Sequence, residues 1–195
     1  MKQIYFLCFS LLVSLSAAAS PCRGYIVTKN DKHLTGHISG IFYSNQAGSV
    51  IFINDFGTLY TIHPALIKGF VLERGEQNIT YLSRPSRQGW IFLRILYHGE
   101  GMSLYCTPED QLFKLPNGKV SESNTLHANE FWIEMHNKPV SRIGRLNYKR
   151  KLRKLMEPKA PELAARIGEK GYQFRDLMKV VETFDKEISA PTWRL

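Results

Sequence analysis

The amino-acid sequence predicts an α+β protein, in which an antiparallel β meander, barrel-like or sandwich-like, is followed by C-terminal helices packed on it. Two observations support this fold class. Nine short runs rich in β-branched and aromatic residues follow one another up to residue 115, and each is only as long as a strand. After Arg142 the spacing of the apolar residues changes to three and four, which is typical of amphipathic helices.

Residues 1–19 are predicted to be a secretory signal peptide. A basic start precedes an apolar run from Ile4 to Leu15, and small residues close the segment at Ala19. The apolar run is shorter than the roughly 20 residues of a transmembrane helix, and no later segment approaches that length. We therefore expect export to the periplasm or the medium, and a mature chain without a transmembrane segment.

Two cysteines remain in the predicted mature chain, because Cys8 is removed with the signal peptide. An oxidising compartment permits a disulfide between Cys22 and Cys106, and two unpaired thiols are the alternative. The position of Cys22 near the cleavage site suggests a lipoprotein, but Pro21 argues against it, since that processing needs a small flexible residue before the cysteine. We expect no lipid anchor, and the sequence leaves the disulfide open.

The predicted β domain covers residues 20–141. Turn signals that combine Gly, Asn or Asp separate its strands at residues 29–32, 54–57, 73–76 and 116–119. Tight turns predict that strands adjacent in the sequence are adjacent in the sheet. The predicted strands, in order, are Gly24 to Lys29, Leu34 to Ser39, Val50 to Ile53, Thr58 to Ile62, Ile67 to Glu73, Ile79 to Leu82, Trp90 to Tyr97, Ser103 to Thr107 and Gln111 to Leu115.

Residues 142–195 are predicted to form a basic helical segment docked on the β domain. Pro158, Pro161 and the glycines at 168 and 171 divide it into shorter helices. Each apolar stripe needs a surface to cover, and the sheet provides one. The first stripe comprises Ile143, Leu146, Leu152, Leu155 and Met156, and the second, clearer one comprises Phe174, Leu177, Met178, Val181, Phe184 and Ile188.

The formal net charge of +9 is concentrated in this helical segment. It contains 14 Lys and Arg against 7 Asp and Glu, whereas residues 21–141 contain 11 against 10. An exported basic surface favours an anionic envelope surface or an envelope protein as partner over nucleic acid. The alternative is a solvated helix face. The predicted binding residues are Arg145, Lys149, Arg150, Lys151, Arg153 and Lys154.

The stretch His98-Gly99-Glu100-Gly101 is interpreted as a hairpin turn between two strands, in which the glycines supply a positive φ. A nucleophile elbow would need a serine between a strand and a helix, but a strand follows Ser103. The stretch therefore assigns no catalytic residue.

The histidines show no metal-binding spacing. His33 and His37 lie on a predicted strand, where residues four apart are roughly 13 Å from each other, so we predict no metal site and no cofactor. The alternative function is an exported hydrolase with a site assembled from His63, His98, Glu100 and Asp110. Such a site requires a histidine within about 3 Å of a carboxylate or hydroxyl inside a pocket.

Several motifs occur in a fixed order along the chain: Gly24-Tyr25-Ile26, Leu34-Thr35-Gly36-His37-Ile38, Tyr60-Thr61-Ile62-His63-Pro64, Ile67-Lys68-Gly69-Phe70, Tyr81, Phe92-Leu93 and Gly101-Met102-Ser103-Leu104-Tyr105. This order resembles a group of uncharacterised secreted proteins of Bacteroidota. The resemblance implies a bacterial host. The group has no established activity, so the resemblance assigns no catalytic residue, and the favoured function is a non-catalytic cell-envelope binding or structural module.

Overall fold

A computed structural model describes residues 21–44, 47–108, 130–135 and 138–189. It confirms the predicted fold class, because one antiparallel sheet of ten strands has the C-terminal helices packed on it. The strands are β1 (Cys22–Thr28), β2 (His33–Ser44), β3 (Ala47–Asn54), β4 (Leu59–Ile62), β5 (Ile67–Arg74), β6 (Gln77–Ser86), β7 (Gly89–His98), β8 (Met102–Cys106), β9 (Phe131–Met135) and β10 (Ser141–Ile143).

The strand order is β10-β9-β8-β7-β6-β5-β1-β2-β3-β4, so the sheet is not closed and has edges at β4 and β10. The predicted meander is correct within β1–β4 and within β5–β10. It is wrong at one connection, because β5 pairs with β1 instead of β4. A short 3-10 helix, η1 (Pro64–Leu66), follows β4 on the way to β5, and Ser83 Oγ donates a hydrogen bond to its Pro64 carbonyl.

The first half of the sheet curls over its own apolar core. Strand β3 approaches β7 across this face, and η1 packs against both. Ile26 on β1 and Phe70 on β5 are cross-strand partners and are both completely buried. The remaining buried members of this core are Ile38, Val50, Phe52, Ile67, Leu72, Tyr81 and Phe92.

The helices cover one face of the other half. They are α1 (Tyr148–Met156), α2 (Pro161–Arg166) and α3 (Leu177–Ser189), and a 3-10 turn, η2 (Phe174–Asp176), precedes α3. The second predicted stripe is confirmed: its buried members are Leu177, Val181 and Phe184, and Phe174, Met178 and Ile188 pack against them half-buried.

The first predicted stripe is only partly correct. Leu152 and Met156 are buried on α1 as expected. Ile143 is buried too, but on strand β10, and Leu146 is fully exposed at 103%. The reason is that α1 begins only at Tyr148, so these two residues lie outside its helical period.

Strands β9 and β10 were not predicted. Strand β10 has three residues with an arginine in the middle, which is too short for a periodic pattern. It spans the predicted boundary between residues 141 and 142. The predicted signal peptide, 1–19, and the predicted strand from Gln111 to Leu115 lie outside the described residues.

The structure does not form the disulfide that the sequence left open. Cys22 lies on β1 and Cys106 on β8, and no bridge joins them. Three strands lie between β1 and β8, which puts the two strands roughly 19 Å apart along the sheet. The Cα atoms of a disulfide are usually within about 7 Å of each other.

Candidate functional site

A shallow cleft of about 220 Å³ lies beside the β7–β8 hairpin. The strand register brings chemically active side chains together there, because Ser103 is opposite His98 on β7 and opposite Glu134 on β9. We call this site the hairpin cleft. It is lined by Arg84, His98, Gly99, Glu100, Gly101, Met102, Ser103 and Glu134.

His98 and Ser103 form a hydrogen bond in the hairpin cleft. His98 Nδ1 is 3.0 Å from Ser103 Oγ, which meets the distance required of the alternative hydrolase. The Ser103 hydroxyl also lies 3.5 Å from the Gly99 carbonyl oxygen. Ser103 is only 4% exposed, so its hydroxyl oxygen has little access to solvent.

The other residues proposed for a hydrolase do not complete this pair. His63 Nδ1 accepts a hydrogen bond from the Ala65 N–H, 3.2 Å away, and so caps η1. Glu100 lines the cleft but forms no hydrogen bond or ion pair with the described part of the chain. Asp110 lies outside the described residues.

The hairpin cleft lacks two parts of a serine-hydrolase site. Within the described ranges, no carboxylate contacts His98 to orient its ring. The N–H of Gly101, which lines the cleft, is not available as an oxyanion donor, because it donates to Asp185 Oδ1 at 2.7 Å. The described residues also contain no group of three His, Cys, Asp or Glu side chains placed to bind a metal.

Glu134 connects three strands on the floor of the cleft. It accepts hydrogen bonds from Arg84 Nε at 2.8 Å and from the Tyr105 hydroxyl. Burial is the largest single effect on Arg84 and disfavours its charge, but the hydrogen bonds and charge interactions with Glu134 and Tyr105 together outweigh burial and raise the arginine pKa. Burial, followed by the bond to Glu134, also raises the Tyr105 pKa. These groups satisfy one another, which indicates a structural network joining β6, β8 and β9.

The hairpin itself is confirmed, since β7 ends at His98 and β8 begins at Met102, but the reason predicted for its glycines is wrong. Neither Gly99 nor Gly101 has a positive φ. A Cβ atom at Gly99 would lie 2.4 Å from Asp185 Oδ2, and one at Gly101 would lie 1.8 Å from Ile188 Cδ1. Glycine is needed here because α3 approaches the hairpin closely.

Asp185 is the buried carboxylate that joins α3 to the hairpin. It is 8% exposed, and its Oδ1 and Oδ2 atoms accept hydrogen bonds from the Gly101 N–H and from the Tyr97 hydroxyl, at 2.7 and 3.0 Å. Because one carboxylate binds both the strand and the turn after it, α3 fixes the backbone on one side of the cleft.

We expect the stability of the protein to fall as the pH rises above about 10. Burial, followed by the bond to Asp185, raises the pKa of Tyr97, and the pKa of Tyr105 is also raised. A tyrosine whose folded pKa exceeds its unfolded pKa keeps its contribution below the unfolded value and loses it as the pH passes the folded value. Thermal melting from about pH 8 to about pH 11 would measure the decline. Tyr97→Phe should make it shallower, and an unchanged slope would contradict this origin.

The second candidate site is the basic surface, formed by the six predicted residues Arg145, Lys149, Arg150, Lys151, Arg153 and Lys154. All are exposed except Lys151, which is half-buried. Five salt bridges occur among the described residues, and none of them involves these six side chains.

Two residues of the basic surface donate hydrogen bonds to the protein itself, and a third, Lys149, packs against it. Arg153 donates to the carbonyl of Ile167 at 2.9 Å, at the end of α2. Lys149 lies along Gly168, where a Cβ atom would be 2.5 Å from its Cε. Lys151 donates to the carbonyl of Arg142. The remaining three, Arg145, Arg150 and Lys154, form no hydrogen bond with the described residues.

Arg87, which the sequence did not indicate, adds to this positive charge. Burial and the nearby charges of Arg87, Arg150 and Arg142 lower the pKa of Lys151. Arg87 lies in the β6–β7 turn, far from α1 in the sequence, and only the fold brings it close. Arg142 is partly compensated by an ion pair with Glu130.

Comparison with known protein families, with curated proteins and with solved structures finds no match to this chain. The resemblance to secreted proteins of Bacteroidota therefore stays a prediction. In the part of the chain that the structure describes, no helix has the length and apolarity needed to cross a membrane.

Proposed function

We propose that this protein is an exported, non-catalytic module of the cell envelope that binds an anionic surface through the basic surface. The supporting observation is that six neighbouring cationic side chains form no ion pair with any described carboxylate. Arg145, Arg150 and Lys154 extend into solvent, where they are available to phosphate groups. Basic clusters of this kind attract anionic lipid surfaces by about 1 kcal/mol per side chain.

The arrangement on α1 argues against a merely solvated helix face. Lys149 and Arg153, and likewise Arg150 and Lys154, are four residues apart and carry like charges, which destabilises a helix. The first turn of α1 has no acidic residue to complement the positive end of the helix dipole. Arg153 and Lys154 lie in the last turn of α1, where the helix dipole favours positive charge. Lys149 and Arg150 lie in the first turn, where positive charge opposes the dipole, so an anionic ligand is the better explanation for these two.

Leu146 adds an apolar group to the same surface. Its side chain is fully exposed, next to Arg145 and just before α1. An exposed apolar residue among basic ones is the combination by which interfacial segments insert into a headgroup layer. This favours a lipid or lipopolysaccharide surface over a soluble anion.

Vesicle binding tests the proposed function. The chain without residues 1–19 should bind vesicles that contain anionic lipid, should ignore neutral vesicles, and should bind less as the salt concentration rises. Neutralising two solvent-exposed cations with Arg150→Gln and Lys154→Gln should weaken binding roughly thirtyfold, at about 1 kcal/mol per side chain.

The matched control removes the same charge elsewhere. Lys29→Gln with Lys32→Gln neutralises two exposed cations near the β1–β2 turn and should leave binding nearly unchanged. An equal loss in both double variants would mean that net charge, not α1, drives binding. If the wild-type protein does not bind anionic vesicles, the proposed function is wrong.

An exported hydrolase is the second candidate function, supported by the 3.0 Å contact between His98 Nδ1 and Ser103 Oγ. Ser103 would be the nucleophile and His98 the base. It ranks second because Ser103 is buried and the Gly101 N–H is occupied by Asp185.

We expect the purified protein to hydrolyse activated esters and peptides no faster than the Ser103→Ala variant. The physical reason is that a serine–histidine pair without an orienting carboxylate or oxyanion donors lacks most of the required machinery. Turnover that is abolished by both Ser103→Ala and His98→Gln in folded protein would instead establish the hydrolase.

A further inference from the structure

Four cationic side chains from three separate segments of the chain come together beside α1. Arg87 lies in the β6–β7 turn, Arg142 lies on β10, and Arg150 and Lys151 lie on α1. We call these four residues the cation cluster. Two of them, Arg87 and Arg142, lie outside the six residues of the basic surface, so the cluster extends that surface to the edge of the sheet.

Two hydrogen bonds hold the three segments together. The N–H of Val140, two residues before Arg142, donates at 3.1 Å to the carbonyl of Pro85, two residues before Arg87. The Lys151 ammonium group donates to the Arg142 carbonyl. The β6–β7 turn and α1 are therefore both fastened to the chain at β10, and the fold assembles the cation cluster from residues that are far apart in the sequence.

Little negative charge compensates the cation cluster. Arg142 forms an ion pair with Glu130, whereas Arg87 and Arg150 form no hydrogen bond or ion pair with the described residues. Burial, followed by the charges of the other three members with Arg87 first among them, lowers the pKa of Lys151. The four charges are thus close enough to repel one another, and an anion bound between them would relieve this repulsion.

We propose that the cation cluster binds a phosphomonoester group, and that Arg87 determines its preference for this group over a phosphodiester. A phosphomonoester carries about −1.5 to −2 charges near pH 7, whereas a phosphodiester carries about −1. Because Glu130 compensates one of the four positive charges, a dianion neutralises more of the remainder than a monoanion does. The proposed function, on which this inference rests, makes an envelope lipid the expected carrier of the group.

The donors of the cation cluster suit phosphate oxygens. Arg87 and Arg150 each present a planar fork of N–H groups, which matches two oxygens of one phosphate. Lys151 has three N–H donors, one of which donates to the Arg142 carbonyl. Lys151 is half-buried and the other three are exposed, so a headgroup can enter from solvent while its contact with Lys151 is partly shielded from water.

Vesicles with two different headgroups test the preference. The chain without residues 1–19 is titrated with neutral vesicles that contain either phosphatidic acid, a phosphomonoester, or phosphatidylglycerol, a phosphodiester, adjusted to equal surface potential. The protein should bind the phosphatidic acid vesicles about fivefold more tightly, as expected for one additional contact between opposite charges.

Two arginine substitutions locate the site. Arg87→Gln should lower the preference for phosphatidic acid at least about twofold. Arg145→Gln is the matched control, because Arg145 is an exposed arginine of the basic surface outside the cation cluster. It should weaken binding to both kinds of vesicle by the same factor and leave the preference unchanged. Circular dichroism of each variant verifies that the fold is intact.

Inorganic phosphate distinguishes a free ion from a lipid-borne group. Phosphate that replaces chloride at constant ionic strength should raise the melting temperature of the wild-type protein more than that of Arg87→Gln if the free ion enters the cluster. No such rise, together with the lipid preference, assigns the site to the lipid-borne group.

The proposal is overturned if the wild-type protein shows neither the lipid preference nor the phosphate effect, or if Arg87→Gln leaves both unchanged. Equal binding to the two anionic lipids without a phosphate effect would leave the proposed function standing and refute the cluster alone. If the protein binds neither lipid but phosphate stabilises it through Arg87, the proposed function is wrong and the phosphate site remains.

Discussion

Replacement of Asp185 by alanine is expected to lower the free energy of unfolding by about 3 kcal/mol. The carboxylate is buried and accepts hydrogen bonds from the Gly101 N–H and the Tyr97 hydroxyl. Alanine leaves both donors without that acceptor, and each buried unsatisfied group costs about 1–3 kcal/mol. The lost hydrogen bonds join α3 to the β7–β8 hairpin, so the substitution should also make the hairpin cleft less rigid.

Urea denaturation of three variants tests this expectation. Asp185→Asn keeps one oxygen acceptor and should lose about half as much stability as the alanine variant. Glu187→Ala removes an exposed carboxylate from the same helix and should change stability by no more than about 0.5 kcal/mol. If Asp185→Ala and Glu187→Ala have equal stability, the hydrogen bonds to the hairpin do not hold α3 in place.

Replacement of Gly24 by alanine is expected to cost about 3 kcal/mol, at the upper end for an overpacked core. A Cβ atom on Gly24 would lie 2.2 Å from the carbonyl oxygen of Val71 on β5 and 3.3 Å from Ile38 Cγ1 on β2. The first of these atoms belongs to the backbone of a neighbouring strand, so the overlap is relieved only by displacing β1 relative to β5.

Gly144→Ala is the matched control for this substitution. The nearest atom to a Cβ at Gly144 is Asn147 Oδ1 at 4.0 Å, so the methyl group meets no obstacle. Thermal and urea denaturation should show a nearly unchanged control and a strongly destabilised Gly24→Ala variant. Equal stability of the two would mean that the sheet accommodates the methyl group without cost.

The positions of most strands and helices could be predicted because they depend on residue patterns within short segments of the chain. The apolar spacing from Phe174 to Ile188 corresponds to η2 and α3, and eight of the nine predicted strands coincide with β1–β8. Local patterns contain no information on which strands pair. The β1–β5 pairing depends on burial of partners such as Ile26 and Phe70, which are far apart in the chain.

The candidate sites were likewise predictable only where their residues lie close together in the sequence. The basic residues of 142–154 lie within one short segment, so the sequence identified them directly. Arg87 reaches Lys151 only through the fold, and Ser103 meets His98 and Glu134 only through the register of three strands. The need for glycine at 99 and 101 was likewise invisible, since its cause is the side chains of Asp185 and Ile188 on α3.

The sequence by itself determined the fold class, the amphipathic face of α3 and the concentration of positive charge near α1, because each depends on residues close together in the chain. The tertiary structure decided the β1–β5 pairing, the composition of the hairpin cleft and the proximity of Arg87 to Lys151. These features arise from contacts between distant segments, and they exist only once burial of the apolar core has brought those segments together.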